Sequence, residues 1–435
     1  MHDEPEIKFK SLGSRKNAPS TGNHSKPSQL RPSQSKPERY RPPQATQAPI
    51  RKVSAAKKRR LKRQQRIRYF VLCISVVFLL SALTAGAFLL GKYNKLKNKA
   101  STFSDHLIET NSITEDTINV LNGYTNIAVF GVDARDSEHL EKDVNADVNM
   151  IISINHDTHD IKLVSVYRDT YLDVQSKGVH RYNKLNEAYS EGGPQQALNT
   201  LNRNLDLVMS DYITVNWAAV ANVINALGGI ELDITDTELE WINGYITETV
   251  ESTNIASQHL THTGVQPIDG IQAVAYCRIR YGGGADYKRT ERQRIVVGKI
   301  LEKVKQTDLI TLNKIVDEVI NQLSTSLEIG EIMTLAKDIT KYSISDTIGF
   351  PFDKEAFCFD KLGGLDCVFP ATLESNVIQL HMLLFENETY TPSSTVQQIS
   401  AQIIKDSGVT ESTNSSGKTE STYLESEANE FPVER

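Results

Sequence analysis

The stretch YCRIRYGGGADYKRTERQR, residues 276–294, gathers Arg278, Arg280, Lys288, Arg289, Arg292 and Arg294 around a run of glycines. Arginine keeps its proton, and its planar fork matches phosphate oxygens two at a time. Asp286 and Glu291 can pair with part of this cluster but cannot neutralise it. Two readings follow: a site for a polyanion, or a surface patch of salt bridges. Read as a strand, CRIR sends Arg278 and Arg280 to one face and Cys277 and Ile279 to the other. Read as a helix, RTERQ places Gln293 one turn beyond Arg289 on the same face.

Acids accompany the arginines. FGVDAR puts Asp133 and Arg135 just past a predicted strand, VNADVNM puts Asp147 just before the next, and SVYRDT ends a third with Arg168 and Asp169. Ligands of open α/β sheets bind outside strand ends. Carboxylates beside a phosphate-binding cluster suit Mg²⁺ (or Mn²⁺), which takes one or two carboxylates and fills its shell with phosphate oxygens and water. Each acid taken alone is as readily a turn cap. His156 and His159 fall in a turn and read as solvated. There is no P-loop, Gly-x-Ser-x-Gly, His-Glu-x-x-His or paired Cys-x-x-Cys.

These residues need a scaffold. YTNIAVFGVD, NMIISINHD and IKLVSVYRDTYLDV read as strands, the last two joined through NHDTHD. GGPQQALNTLNRNLDL reads as a helix starting at its proline. DYITVNWAAVANVINALGGIELDI gives strand, helix, Gly-Gly stop and strand; DGIQAVAYCRIRYG gives a short helix running into a strand that holds Cys277. KRTERQRIVVGKILEKVKQ is a long amphipathic helix. Alternating strands and helices predict an α/β/α layered domain with a mixed central sheet. IVVGKILEKV and LITLNKIVDEVINQL are amphipathic enough to line an apolar channel, though such residues are more often core.

The 435-residue chain has a formal charge of −6, unevenly spread: residues 1–68 carry +15 and the rest −21. Residues 1–50, rich in Pro, Ser, Gln and Lys, cannot bury enough surface to order themselves. The acid-free run at 51–68 leads into YFVLCISVVFLLSALTAGAFLLG, residues 69–91, which is uncharged. At about 1.5 Å per residue it reaches roughly 34 Å, enough for a bilayer core of about 30 Å. A signal peptide would be shorter and start nearer the N-terminus. The basic flank predicts a single-pass membrane protein with a cytoplasmic N-terminus and an outward C-terminal domain. Beside a span, such a run commonly meets anionic lipid head groups, and no nucleic acid is expected. Residues 92–123 read as a stalk, 124–404 as the outer domain and 405–435 as a disordered polar tail. Cys358 and Cys367 either form a hairpin disulfide or stay free.

GVDAR, LVSVYRDTYL, YNKLNEAYSEGG, ALGGIELDI and IDGIQAVAYCRIRYGGGADYKRTERQR, in this order, resemble the LytR–CpsA–Psr family over roughly residues 124–305. The resemblance implies a ligase that moves a glycopolymer (teichoic acid, capsular or another wall polysaccharide) from a polyprenyl diphosphate carrier onto peptidoglycan, with pyrophosphatase as a side reaction. By motif, Asp133 and Asp147 resemble the Mg²⁺-associated carboxylates. Arg135, Arg168, Arg278, Arg280 and Arg289 with Gln293 resemble the pyrophosphate-binding set, and Lys184 stands where a basic residue often lies near the head group. Where the family commonly has Arg-Ser-Asp-Thr, this chain reads Asn145-Ala146-Asp147-Val148. Either the site holds its phosphate with one cation fewer, or a residue such as Lys142 substitutes. A non-catalytic lipid-phosphate scaffold and an envelope regulator acting through the basic tail are the alternatives.

Overall fold

The structure is a computed structural model and describes residues 103–134, 140–141, 144–175, 178–280, 285–308, 311–312, 315 and 322–410. The whole N-terminal tail with its basic run, the expected membrane span, residues 92–102 and most of the C-terminal tail lie outside these residues, as do Arg135, Lys142 and most of LITLNKIVDEVINQL. Among the described residues no helix is long and apolar enough to cross a membrane.

In chain order the elements are α1 (Glu115–Leu121), β1 (Tyr124–Val132), β2 (Ala146–Asn155), β3 (Asp160–Val166), β4 (Tyr171–Asp173), β5 (Tyr182–Lys184), α2 (Leu185–Leu205), β6 (Asp211–Asn216), α3 (Trp217–Ala226) and β7 (Ile230–Ile234). There follow α4 (Asp236–Thr253), β8 (Gly264–Ile268), α5 (Gly270–Arg278), α6 (Ala285–Lys305), β9 (Leu323–Thr325), α7 (Ile329–Lys337), β10 (Ser343–Phe350), β11 (Lys354–Phe359), β12 (Leu365–Pro370), α8 (Leu373–Phe385) and α9 (Ser394–Ser407). A six-stranded mixed sheet has the order β10-β3-β2-β1-β6-β9. β2 runs antiparallel to β1 and β3, while β6 is parallel to β1 and β10 parallel to β3.

The sheet is apolar on both faces because its strands alternate two apolar sets. Ala128, Phe130, Val132, Ile151, Val164 and Val166 join one core with residues of α2, α8 and α9. Val148, Met150, Ile154, Ile161 and Leu163 join another, against which Val297 and Leu301 of α6 pack. A third core unites α3, α4, α5 and the β7–β8 pair, with Val296 of α6. The apolar residues of IVVGKILEKV are therefore largely core.

Several expectations change. CRIR is not a strand: α5 continues to Arg278, so Cys277 is helical and buried. A capping box fixes where this helix starts, because Asp269 and Gln272 satisfy each other's backbone N–H groups. α2 begins at Leu185, ahead of the Gly-Gly-Pro break, which survives as a kink at Gly192 and Gly193. β2 begins at Ala146, so Asp147 lies inside the strand. The described part of the segment read as a stalk, from residue 103, packs onto the domain: Phe103, Ile108 and Ile113 lean on the main core, and Glu109 pairs with Arg203. At the other end α9 runs to Ser407 and Val409 is buried, so ordered structure passes residue 404. Cys358 and Cys367 are free. Across the β11–β12 hairpin Cys358 faces Asp366 and Cys367 faces Phe357, which sends the two thiols to opposite sides.

Candidate active site

Asp147 owes its position to a β-bulge. Gly131 pairs with Val148 and Val132 with Ala146, leaving Asp147 as the extra residue. A bulge re-aims the side chain it carries. Gly131 permits it: a Cβ there would stand 2.8 Å from the Val148 side chain. Asp133 follows β1 immediately and is exposed. The Asn216 side chain fixes the backbone beyond it, accepting from Ala219 N as the cap of α3 and donating to the Ala134 carbonyl at 3.4 Å.

The turn after β3 carries Arg168 and Asp169, and three elements grip it. Tyr167 N donates to the Phe350 carbonyl, Val368 N to the Asp169 carbonyl, Leu185 N to the Thr170 carbonyl and Asn186 N to the Arg168 carbonyl, at 2.9–3.0 Å. Such pinning presets the direction of both side chains, and preset charges act without reorganisation. Gly349 leaves room for the Tyr167 ring, whose hydroxyl lies 2.0 Å from where a Cβ would be.

Four cations meet three carboxylates here. Arg168 donates through Nη1 to Asp147 Oδ1 at 2.7 Å and through Nε to Asp169 Oδ2 at 3.3 Å. Lys184 donates to the other Asp169 oxygen at 2.9 Å. From α6, Arg289 pairs with Asp286 at 2.8 Å and donates to the Asp147 carbonyl at 3.3 Å. Arg280, just past α5, is close enough to act on both Asp147 and Arg289. Burial pushes the Asp147 pKa upward, but Arg289, Arg168 and Arg280 together hold it below the usual carboxylate range. Burial disfavours charge on Arg168, and Asp169, Asp286 and Asp147 more than restore it. For Arg289 burial wins and the pKa falls. Its Nε and Asp286 Oδ2 are enclosed without hydrogen-bond partners.

Asp147, Arg168, Arg280 and Arg289 are thus brought together, with Lys184 joined through Asp169. Arg278 is not: it donates to Thr249 at 2.8 Å and pairs with Glu248 at 3.2 Å, away on α4. Helical rather than strand geometry separates it from Arg280. Arg292 is likewise structural, held by Glu238 at 2.8 Å and the Ile279 carbonyl at 3.1 Å. Gln293 is buried against α5, where Nε2 donates to the Cys277 carbonyl at 3.5 Å and Oε1 has no partner. Sequence reasoning gave Asp286 to a surface pair and Asp169 no role of its own; here they bridge Arg289, Arg168 and Lys184. The i,i+3 spacing of Asp286 and Arg289 was the available signal.

Residues 90–351 match the LytR_cpsA_psr family model. The chain belongs to this family. It is 29% identical over 49% of its length to the polyisoprenyl-teichoic acid–peptidoglycan teichoic acid transferase TagU of Enterococcus faecalis, and 27% identical over 60% to biofilm regulatory protein A of Streptococcus mutans. It spans 64% and 63% of those two relatives. A solved Streptococcus agalactiae structure shares the fold, with a TM-score of 0.52 at 22% identity, covering 66% of this chain and 95% of that one. The mixed α/β domain with a central mixed sheet is therefore the fold of this family.

Proposed function

We propose that the chain transfers a glycopolymer from a polyprenyl diphosphate carrier to a peptidoglycan hydroxyl, forming a phosphodiester and releasing polyprenyl phosphate. One observation carries the reading: Arg168, Arg280, Arg289 and Lys184 converge on the bulged Asp147 and on Asp169. Family membership and the printed activity of the TagU relative support it. Arginine forks and Lys184 hold the diphosphate and neutralise its charge, so positioning and electrostatics do most of the work. The acceptor oxygen attacks the sugar-side phosphorus in line as the bond to the polyprenyl phosphate oxygen breaks. Asp147 is already engaged by Arg168, whereas Asp133 is exposed and has no hydrogen-bond partner among the described residues. Asp133 is accordingly our choice for the proton acceptor.

Mg²⁺ fits the donor set. Asp133 and Asp147 stand at neighbouring strand ends, and Asp286 offers a buried oxygen without a partner. Among the described residues no group of three or more His, Cys, Asp or Glu offers a protein cage. One or two carboxylates plus phosphate oxygens is the usual arrangement for this ion. When bound, it would supply charge neutralisation at the diphosphate. We further propose an α/β/α layering of the domain, a signal anchor at 69–91, anionic lipid head groups at the basic run and an outward-facing domain.

The test is binding. Full-length protein in neutral detergent should be stabilised thermally by a polyprenyl diphosphate saccharide, and denaturing mass spectrometry should find a polyprenyl phosphate or diphosphate in the purified protein. No stabilisation and no lipid in repeated preparations would remove the diphosphate site.

A further inference from the structure

α6 carries one more arginine that the site above does not use. Arg294 is 7% exposed, and its Nε and Nη1 are enclosed without a hydrogen-bond partner. Among the described residues no carboxylate pairs with it; Glu291 and the Tyr167 phenol act on it from farther away. Burial disfavours its charged form, and those two groups offset this only in part. A cation so placed has given up water without receiving a partner, an arrangement that costs stability unless an anion completes it.

Arg294 is not sealed in the core. It lines a groove of about 460 Å³ between α6 and β10, together with Lys299, Lys305, Ser343 and Thr347. Glu302 is the one acid among the lining residues and is taken by Lys299 at 3.1 Å. Lys305 donates to the Tyr342 carbonyl at 2.7 Å at the far end. The groove begins beside the candidate site, because Tyr167 adjoins Arg168 in sequence and acts on Arg294. β10 is parallel to β3, with Phe350 opposite Val166 and Ser343 opposite Asp160, so the groove leads away from the turn that holds Arg168. From Arg294 to Lys305 the helix rises about 16 Å.

We propose that this groove is a second anion subsite, in which Arg294 binds a backbone phosphate of the polymer at a distance from the reacting phosphorus. Its biological occupant rests on the transfer reading above; its chemistry rests on Arg294 alone. A guanidinium with unpartnered Nε and Nη1 donors suits phosphodiester oxygens, and the ammonium groups of α6 across from the hydroxyls of β10 suit the sugar or polyol between phosphates. The chain would then prefer a phosphate-bearing polymer over a neutral one.

Full-length protein in neutral detergent is titrated calorimetrically with a lipid-free glycerol phosphate hexamer, with inorganic phosphate and with a neutral dextran oligomer. The wild type should bind the hexamer more tightly than inorganic phosphate and should not bind dextran. Arg294→Gln should weaken hexamer binding about tenfold, roughly 1.4 kcal/mol. Arg168→Gln should keep it, so failure of the transfer reading and failure of this subsite remain distinguishable. Equal hexamer affinity in wild type and Arg294→Gln, or loss confined to Arg168→Gln, would overturn the proposal. Two further variants guard against misfolding. Arg294→Met should raise the Tm of the ligand-free protein, where a structural arginine would lower it. Thr347→Glu should supply the missing counter-charge and abolish hexamer binding; unchanged binding in that variant would also overturn the subsite.

Discussion

Arg168 and Arg278 stand for what residue types reveal and what they hide. Both are arginines in motifs that resemble the family's, yet Arg168 faces Asp147, Asp169 and Asp286 while Arg278 faces Glu248 and Thr249. Removing one fork from a partly desolvated charge network costs about 2–5 kcal/mol in ligand affinity. Arg168→Lys should therefore weaken polyprenyl diphosphate binding by well over tenfold, since lysine lacks the planar fork. Arg278→Lys should leave affinity within about threefold, because its carboxylate partner is more than half exposed and such pairs contribute roughly 0–1 kcal/mol. Calorimetry on the two variants checks this, and equal losses would place Arg278 back in the site. Asp147 and Arg168 were legible from charge type and strand-end position, and Arg280 and Arg289 only from the gathering of arginines around the glycine run. Which arginines share a cavity was not, because that depends on where α5 stops.

At the scale of elements, strands and their alternation were the readable part. β1, β2, β3, β6 and β7, the β2–β3 hairpin and α6 all follow from apolar period and turn residues. The bulge at Asp147 was not readable, since its cause is a register shift between two strands rather than a local signal. The grip on the Arg168 turn is likewise tertiary. α8 shows another such contact with a measurable consequence. The buried His381 ring stacks on Tyr390 at 3.6 Å, its Nε2 meets the Leu205 carbonyl at 2.9 Å, and Nδ1 has no partner. Burial lowers its pKa to about 4, against the opposing pull of the Leu205 carbonyl and Asp206. The unfolded chain titrates near the ordinary value of about 6.5 and so binds the extra proton between those limits. Stability should be intact above about pH 6.5 and decline as pH falls towards 4, by about 3 kcal/mol from this residue. Chemical denaturation at pH 7 and pH 4.5 reads the effect. His381→Gln should flatten that component, and an unchanged slope would contradict the buried neutral ring.

The whole sequence joins a basic N-terminal part, with an uncharged apolar stretch at 69–91, to an acidic remainder that holds the folded domain, and that contrast was plain in the charge distribution. The domain's limits were not, because residues near 105–121 and 405–409 are polar enough to read as linkers yet dock through a few apolar anchors. If the span orients by its basic flank, protease added to wall-stripped cells should remove the folded domain and leave a membrane stub of about ten kilodaltons. Full protection of the domain would reverse the topology. The central claim is that this domain transfers polymer through its arginine–carboxylate cluster. Its most direct measurement is conjugate formation by full-length protein given a polyprenyl diphosphate saccharide, peptidoglycan and Mg²⁺, compared across wild type, Asp133→Ala, Asp147→Ala and Arg168→Lys. Wild type should form conjugate, both aspartate variants should lose at least a hundredfold with lipid binding retained, and high Mg²⁺ should partly restore Asp147→Ala but not Asp133→Ala, which lacks the proton acceptor. Wild-type transfer by both aspartate variants, or no conjugate from wild type while lipid still binds, would contradict the claim and leave a binding protein in place of an enzyme.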